Sequence, residues 1–371
     1  MRVSLVSQRS PGFTVRTPLV QPLGGTESAL CYLAVELARR GHDVTLHAAI
    51  STEVVQDGVR CVPIGGHLGA SVRAARPDVV VLSQFEEDTR RLRRALRLPI
   101  VAWYVTAPGF VAHNAKAMAA HEGEHGFDHA VFVSRWHRDE MVKVHGIPEE
   151  HAHFVHNGVA PPFLYEGLSP EELVAAKASP LHLAYSSTPF RGLDLLCELC
   201  ENELAGEEAL VADIFSSMKV YEGDEDPYRG LYERIRRSPR MRLHGSIGQR
   251  ALADALRGAA VLAYPNTYPE TFCIAAAEAM AAGCHVITSA LGALPEVTGG
   301  FATLLPPPGD RVAYRQAFAK ALRTWRDGVT GPDAAAHKMR LAGQIRFVRA
   351  SYTWPVLAAE WERLLRLAAA R

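Results

Sequence analysis

The sequence predicts an α/β protein made of two doubly wound parallel-sheet domains, and three observations lead there. The chain has 371 residues, enough for two cores, and 48% of them are hydrophobic, which suits globular interiors and excludes long disorder. Short runs rich in Val, Ile and Leu alternate with stretches of helical period, as parallel strands covered on both faces require. Between residues 160 and 180 the alternation lapses into a proline-rich stretch without a long apolar run, which reads as a linker.

In the first half, Arg2 to Ser7 reads as a strand and residues 8 to 21 as a loop with Pro11, Gly12 and Pro18. Gly24-Gly25-Thr26-Glu27 opens a helix, ESALCYLAVELARRG, with apolar residues at intervals of three and four and a stop at Gly41. The glycine pair lets backbone approach a ligand closely, and Thr26 is the expected cap. Strands follow at His42 to Ile50, Val59 to Ile64, Asp78 to Leu82 and Pro99 to Tyr104, with helices between them. The helix Glu86 to Leu98 carries Arg90, Arg91, Arg93, Arg94 and Arg97; it reads as a solvated face, or as one that meets an anionic membrane surface or acceptor. After Tyr104 comes a loop-like stretch with His113, Asn114, His121 and His125. His129 to Ser134 is a strand, His137 lies in a polar helix start, and His153 to Val159 is a strand ending in an Asn157-Gly158 turn.

The second half restarts the pattern. Leu181 to Tyr185 is a strand, residues 186 to 192 a loop, Leu193 to Leu204 a helix and Val211 to Ser216 a strand. Tyr228 to Arg237 is a helix, Met241 to Gly245 a strand ending in glycine, and Gln249 to Ala259 a helix. Ala260 to Tyr264 is a buried strand leading into Tyr268 to Ser289, YPETFCIAAAEAMAAGCHVITS. Here Phe272 to Ala282 is a strong helix former closed by Gly283, with Glu270 at its mouth and Glu278 inside it. Ligands of such sheets bind where strands end and helices begin, and the N–H groups of Phe272, Cys273 and Ile274 would face a phosphate there. Glu278 suits ribose hydroxyls and Glu270 sugar hydroxyls; the spacing alone fits equally an ordinary helix with one solvated Glu. Beyond it, Phe301 to Leu305 is a strand, Ala313 to Trp325 a helix, and Trp354 to Leu367 a last helix with one apolar face.

Composition narrows the partners and the compartment. Forty basic residues balance forty acidic ones, so no global field draws the protein to nucleic acid. Six cysteines are scattered through apparent helices and strands, and MRVSLVSQRSPGF lacks a signal-peptide pattern, which points to the reducing cytoplasm. Cys197 and Cys200 form a CxxC without a second ligand pair, so they read as core thiols. No run approaches the roughly 18 apolar residues that span a bilayer.

The stretch PETFCIAAAEAMAAGCHVITS resembles the E-x7-E signature of the retaining GT-B glycosyltransferases of the group 1, or family 4, class. The resemblance implies two Rossmann-like domains around an interdomain cleft: an acceptor-binding domain at 1–160, a linker at 161–180, a nucleotide-sugar domain at 181–352, and a helix at 353–371 that crosses back onto the first domain. It assigns Glu270 to the donor sugar and Glu278 to the ribose, and sets Gly24 and Gly25 opposite the donor phosphates. Arg191-Gly192 occupies the position of the family's "KG", with Ser186 where an earlier cation is usual. His244 and Gly245 become neighbours of the base. The family's His that follows a strand directly is displaced here, which leaves His113 as its candidate.

The implied activity is metal-independent transfer from a UDP- or GDP-linked sugar to a hydroxyl of a glycan, lipid-linked or small-molecule acceptor, in the cytoplasm with peripheral contact to the inner face of a membrane. The missing cation and displaced His suggest an alternative, a catalytically weak nucleotide-sugar-binding or regulatory protein. A nicotinamide-dependent oxidoreductase is disfavoured, because the loop after the first strand lacks G-x-G-x-x-G.

Overall fold

The computed structural model describes residues 1–7, 12–65, 68–83, 89–105, 126–177, 179–221 and 223–370. The chain divides into two compact units, Met1–Gly158 with Trp354–Arg371, and Val159–Thr353.

The first unit holds β1 (Arg2–Ser7), β2 (Asp43–Ala48), β3 (Val54–Gln56), β4 (Val59–Pro63), β5 (Val79–Ser83), β6 (Ile100–Tyr104), β7 (His129–Phe132) and β8 (Ala152–Phe154). Their order in the sheet is β3-β4-β2-β1-β5-β6-β7-β8, parallel except for the β3/β4 hairpin. The inner strands β5 and β6 are buried along their whole length, as strands covered on both faces should be. The last helix, Trp354–Ala369, packs within this unit. Its Trp361 is fully buried and meets the Trp103 ring edge-on at 4.9 Å, and Arg40 grips Glu362 at 2.5 Å. A side chain at Gly158 would come within 2.6 Å of the Trp354 ring, so a glycine is what lets that indole close down on the turn.

The second unit holds β9 (His182–Ser186), β10 (Val211–Phe215), β11 (Met241–Leu243), β12 (Val261–Tyr264), β13 (His285–Ser289) and β14 (Thr303–Leu305) in the order β11-β10-β9-β12-β13-β14, all parallel. The winding reverses between β9 and β12, the position in an open parallel sheet beyond whose carboxyl ends ligands bind.

Several local expectations need correction. Thr26 does not cap its helix: the helix is Gly25–Arg39, its N-cap is Gly24 without a side-chain cap bond, and Thr26 already lies inside the first turn. Ser134 lies just past β7 and caps the helix Arg135–His145, accepting from the His137 N–H at 3.0 Å. The helix at the paired glutamates is Ile274–Ala281, shorter than expected, because Cys273 at φ +78° breaks helical geometry. Residues 161–180 contain the helix Pro170–Ala175, begun by a capping box of Ser169 and Glu172. The helix Ala334–Ser351 was not anticipated either; its buried Gln344 donates to the Met280 and Cys284 carbonyls.

Candidate functional site

At the carboxyl ends of β9 and β12 two loops run against each other. Gly192, at φ +102°, permits this, since a Cβ there would sit 2.0 Å from the Pro265 carbonyl oxygen. The approach sets Arg191 over the rings of Tyr268 and Phe190, at 4.7 and 5.4 Å. Its Nη1 donates to both Glu270 oxygens, at 3.0 and 3.3 Å. The Glu270 side chain is 4% exposed and that of Arg191 25%, so the pair presents its cationic side to solvent.

Glu270 is held on two further sides. The Tyr264 hydroxyl donates to its Oε1 at 2.5 Å, and the Ser187 hydroxyl lies 3.3 Å from the same phenol oxygen. Its carbonyl accepts from the Ala293 N–H at 2.7 Å. That bond depends on Gly292, at φ +64°, where a Cβ would fall 2.4 Å from the Glu270 carbonyl oxygen. Burial works against the Arg191 charge, but Glu270 outweighs it and the guanidinium is held more firmly protonated than usual. Burial first, and Glu270 second, push the Tyr264 phenol well above its ordinary value, so it stays a donor. The same two causes keep the Cys273 thiol protonated, and it offers no thiolate nucleophile at neutral pH.

Glu278 lies one turn inside the helix that begins at Ile274, and it is 5% exposed. Burial raises its carboxyl to about 8 against the opposing hydrogen bond from the Ala160 N–H. Its Oε1 has no hydrogen-bond partner among the described residues. A buried acceptor without a donor is costly, and it suits a ligand hydroxyl.

The other expected residues take varied places. Ser186 ends β9, half-buried, on the strand that leads to Arg191. His244 follows β11 and bonds through Nε2 to Asp213 Oδ1 at 2.7 Å, while His182 holds Oδ2 at 2.6 Å. Its ring lies on Phe215, at 4.7 Å and 17°. Burial raises the Asp213 carboxyl, but the two histidine hydrogen bonds bring it below its ordinary value. Gly245 follows His244 at φ +69°. Phe272 is buried outside the helix, edge-on to Tyr352, so of the three expected amides only that of Ile274 belongs to the first turn. Gly24 and Gly25 lie in the first unit at the start of Gly25–Arg39. His113 falls outside the described residues.

Sequence reading missed the roles of Tyr264, Tyr268 and Asp213; Gly292 reads from the sequence as a point of backbone freedom, which its φ of +64° bears out. One signal was available for Tyr264: a tyrosine that ends a buried strand must give its hydroxyl to some acceptor, and Glu270 follows six residues later.

Residues 191–324 match the family described as glycosyl transferases group 1. Among curated relatives, a D-inositol 3-phosphate glycosyltransferase of Streptomyces griseus is 37% identical over 106 residues, covering 26% of this chain and 21% of that protein. A phosphatidyl-myo-inositol mannosyltransferase of Mycobacterium leprae is 33% identical over 150 residues, covering 39% of this chain and 36% of that protein. The chain therefore matches only about a fifth to a third of the length of these relatives. Two solved structures align along nearly the whole chain. A glycosyltransferase from Rickettsia africae has a TM-score of 0.73 at 12% identity, covering 99% of this chain and 98% of that one. Anabaena HepE in complex with UDP-glucose has a TM-score of 0.71 at 14% identity, covering 99% of each chain. At such identities the likeness speaks for the fold, which is GT-B.

Proposed function

We propose, from the premise that residues 191–324 belong to the group 1 glycosyl transferases, that this protein is a retaining transferase moving a sugar from a UDP- or GDP-linked donor to an acceptor hydroxyl. The observation that carries this reading is the Arg191–Glu270–Tyr264 cluster at the reversal of the second sheet, with Glu278 buried on the helix that starts beside it. Glu278 takes the ribose hydroxyls and Glu270 positions the donor sugar. Arg191 and the Ile274 amide face the diphosphate, where charge grows as the sugar departs. The bond from the anomeric carbon to the diphosphate breaks while the acceptor oxygen bonds to the same face of that carbon. The acceptor proton passes to the departing phosphate. In this reading the guanidinium and fixed dipoles stabilise the leaving group, and no metal is required. The first unit holds the acceptor, a glycan, a lipid-linked saccharide or a small molecule.

Thermal shift against a panel of nucleotide sugars is the first test, since a donor at 100 times its dissociation constant adds about 2.7 kcal/mol to the folded state. Transfer or slow hydrolysis of a labelled donor should then disappear in Glu270→Ala and in Arg191→Ala. Failure of every nucleotide sugar to bind would sink the proposal. One observation favours a second reading: Arg191 is engaged by Glu270, which lowers its availability to a diphosphate. Tight donor binding with neither transfer nor hydrolysis would favour a nucleotide-sugar-binding or regulatory protein.

A further inference from the structure

A cavity of about 420 Å³ lies in the second unit between β14, the helix Arg311–Thr330 and the helix Ala334–Ser351. It stands apart from the cluster around Glu270. Ser289, the last residue of β13, bonds to the Asn266 carbonyl in the loop that leads to Glu270, whereas the cavity takes His285, the first residue of that strand. None of Arg191, Tyr264, Glu270 or Glu278 lines it.

Its walls are built rather than incidental. The His285 ring lies flat on Trp325 at 4.4 Å and 7°, and its Nε2 meets the Thr303 hydroxyl at 2.8 Å. His337 stands edge-on to the same indole at 5.8 Å, and Gly328 makes room for it, since a Cβ there would approach the His337 ring to 2.3 Å. Burial, with Arg340 and His337 behind it, lowers His285 to about 3, so that ring is neutral at physiological pH. Arg340 reaches over the Phe301 ring at 5.5 Å and donates to the Gly300 carbonyl.

The lining combines an apolar floor with cations and lacks a balancing charge. Phe301, Leu305 and Leu341 supply apolar surface, Lys320 and Arg340 supply positive charge, and among the described residues no Asp or Glu lines the space. The Trp325 indole N–H is buried without an acceptor among the described residues. A volume in the range of small-molecule sites, apolar walls and a few convergent donors define a ligand pocket, and uncompensated cations select an anion.

We propose that this cavity is a second binding site, for a small organic monocarboxylate whose apolar body packs on Phe301, Leu305 and Leu341 and whose carboxylate meets Lys320 and Arg340. One negative charge suits the lining, because Arg340 already gives one of its nitrogens to Gly300. The site stands independently of sugar transfer.

Titration of the full chain with 3-phenylpropionate, followed by tryptophan fluorescence and calorimetry, tests the assignment. The expected result is saturable one-to-one binding, at least tenfold tighter than that of the neutral 3-phenylpropionamide. Lys320→Ala, at an exposed position, should weaken the acid about tenfold and leave the amide unchanged. Ala321→Phe should fill the space and abolish both, with a melting temperature close to that of the parent; if that variant does not fold, Lys320→Ala and the acid-to-amide ratio decide. Equal affinity for acid and amide, indifference to Lys320→Ala, displacement by UDP, or no saturation in the millimolar range would each overturn it.

Discussion

Replacing Glu278 by Gln should stabilise the second unit at neutral pH, and the gain should vanish in acid. The carboxyl, 4.5 by ordinary standards, is raised by burial to about 8 in the folded protein. Below about pH 4.5 both states hold the proton and the full stability is present. Between 4.5 and about 8 the unfolded chain releases a proton that the folded chain keeps, so stability falls as pH rises, by about 1.36 kcal/mol per unit. At pH 7 the loss is roughly 3 kcal/mol, at pH 8 about 4, and it levels off at about 5 above that. Gln keeps the shape, can accept the Ala160 N–H, and does not titrate; its buried NH2 is no worse placed than the carboxyl proton it replaces. For a unit of this size that corresponds to a rise in melting temperature on the order of 10 °C at pH 7, shrinking to about 2 °C at pH 5. Calorimetry of both proteins from pH 5 to 8 measures it, with the transition of the second unit followed separately. A gap that stays constant over that range, or one that widens in acid, would refute the assignment of a protonated, desolvated carboxyl. Donor binding should weaken in the same variant, because an amide N–H2 replaces an acceptor where a ribose hydroxyl would donate.

Four further outcomes can be checked. Arg191→Ala should cost about 1–3 kcal/mol by leaving Glu270 buried without its cation, a figure reduced for the partial exposure of Arg191; adding Glu270→Gln should restore most of it in a denaturant titration. Gly292→Ala should cost more than about 3 kcal/mol and abolish donor binding, since the new methyl meets the Glu270 backbone at 2.4 Å on a residue at φ +64°. Trp361→Ala should remove about 3–5 kcal/mol from the first unit and leave the melting of the second in place, as differential calorimetry would show. Asp213→Asn should flatten the acid limb of the second unit's stability curve. The depressed Asp213 carboxyl contributes stability that is present above its ordinary value of 3.8 and lost as pH falls below it.

The legibility of this fold in the sequence follows burial. Central strands such as β5, β6 and β12 are apolar end to end because helices cover both faces, and each was recognisable within one residue or so. The edge strand β3 was not: it is three residues long, with Val55 exposed, and nothing in its composition separates it from a loop. Pro170 read as part of a linker, yet at the first position of a helix proline is favoured, and Ser169 with Glu172 spelled the capping box. The helix Ala334–Ser351 buries a glutamine among its apolar residues, so its stripe is blurred. At the site, Glu270 and Glu278 were legible through a local pattern. The Arg191–Glu270 ion pair itself was not: the resemblance sets both residues at the donor, but they lie 79 residues apart and no spacing announces a contact that the sheet reversal creates.

That long-range contact changes what the two glutamates have in common. Both are buried, but Glu270 has a cation and a phenol to offset its desolvation, whereas Glu278 has one backbone donor and holds its proton instead. Under the proposed function an approaching diphosphate would compete with Glu270 for Arg191, and a ribose hydroxyl would supply the donor that Glu278 Oε1 lacks among the described residues. Ligand entry would therefore ionise one carboxylate while it loosens the ion pair of the other. Donor binding should release a proton from Glu278 between about pH 5 and 8, so calorimetric binding enthalpies should vary with the ionisation enthalpy of the buffer in the parent protein and lose that dependence in Glu278→Gln. Equal buffer dependence in the two proteins would show that Glu278 does not change its protonation when the donor binds.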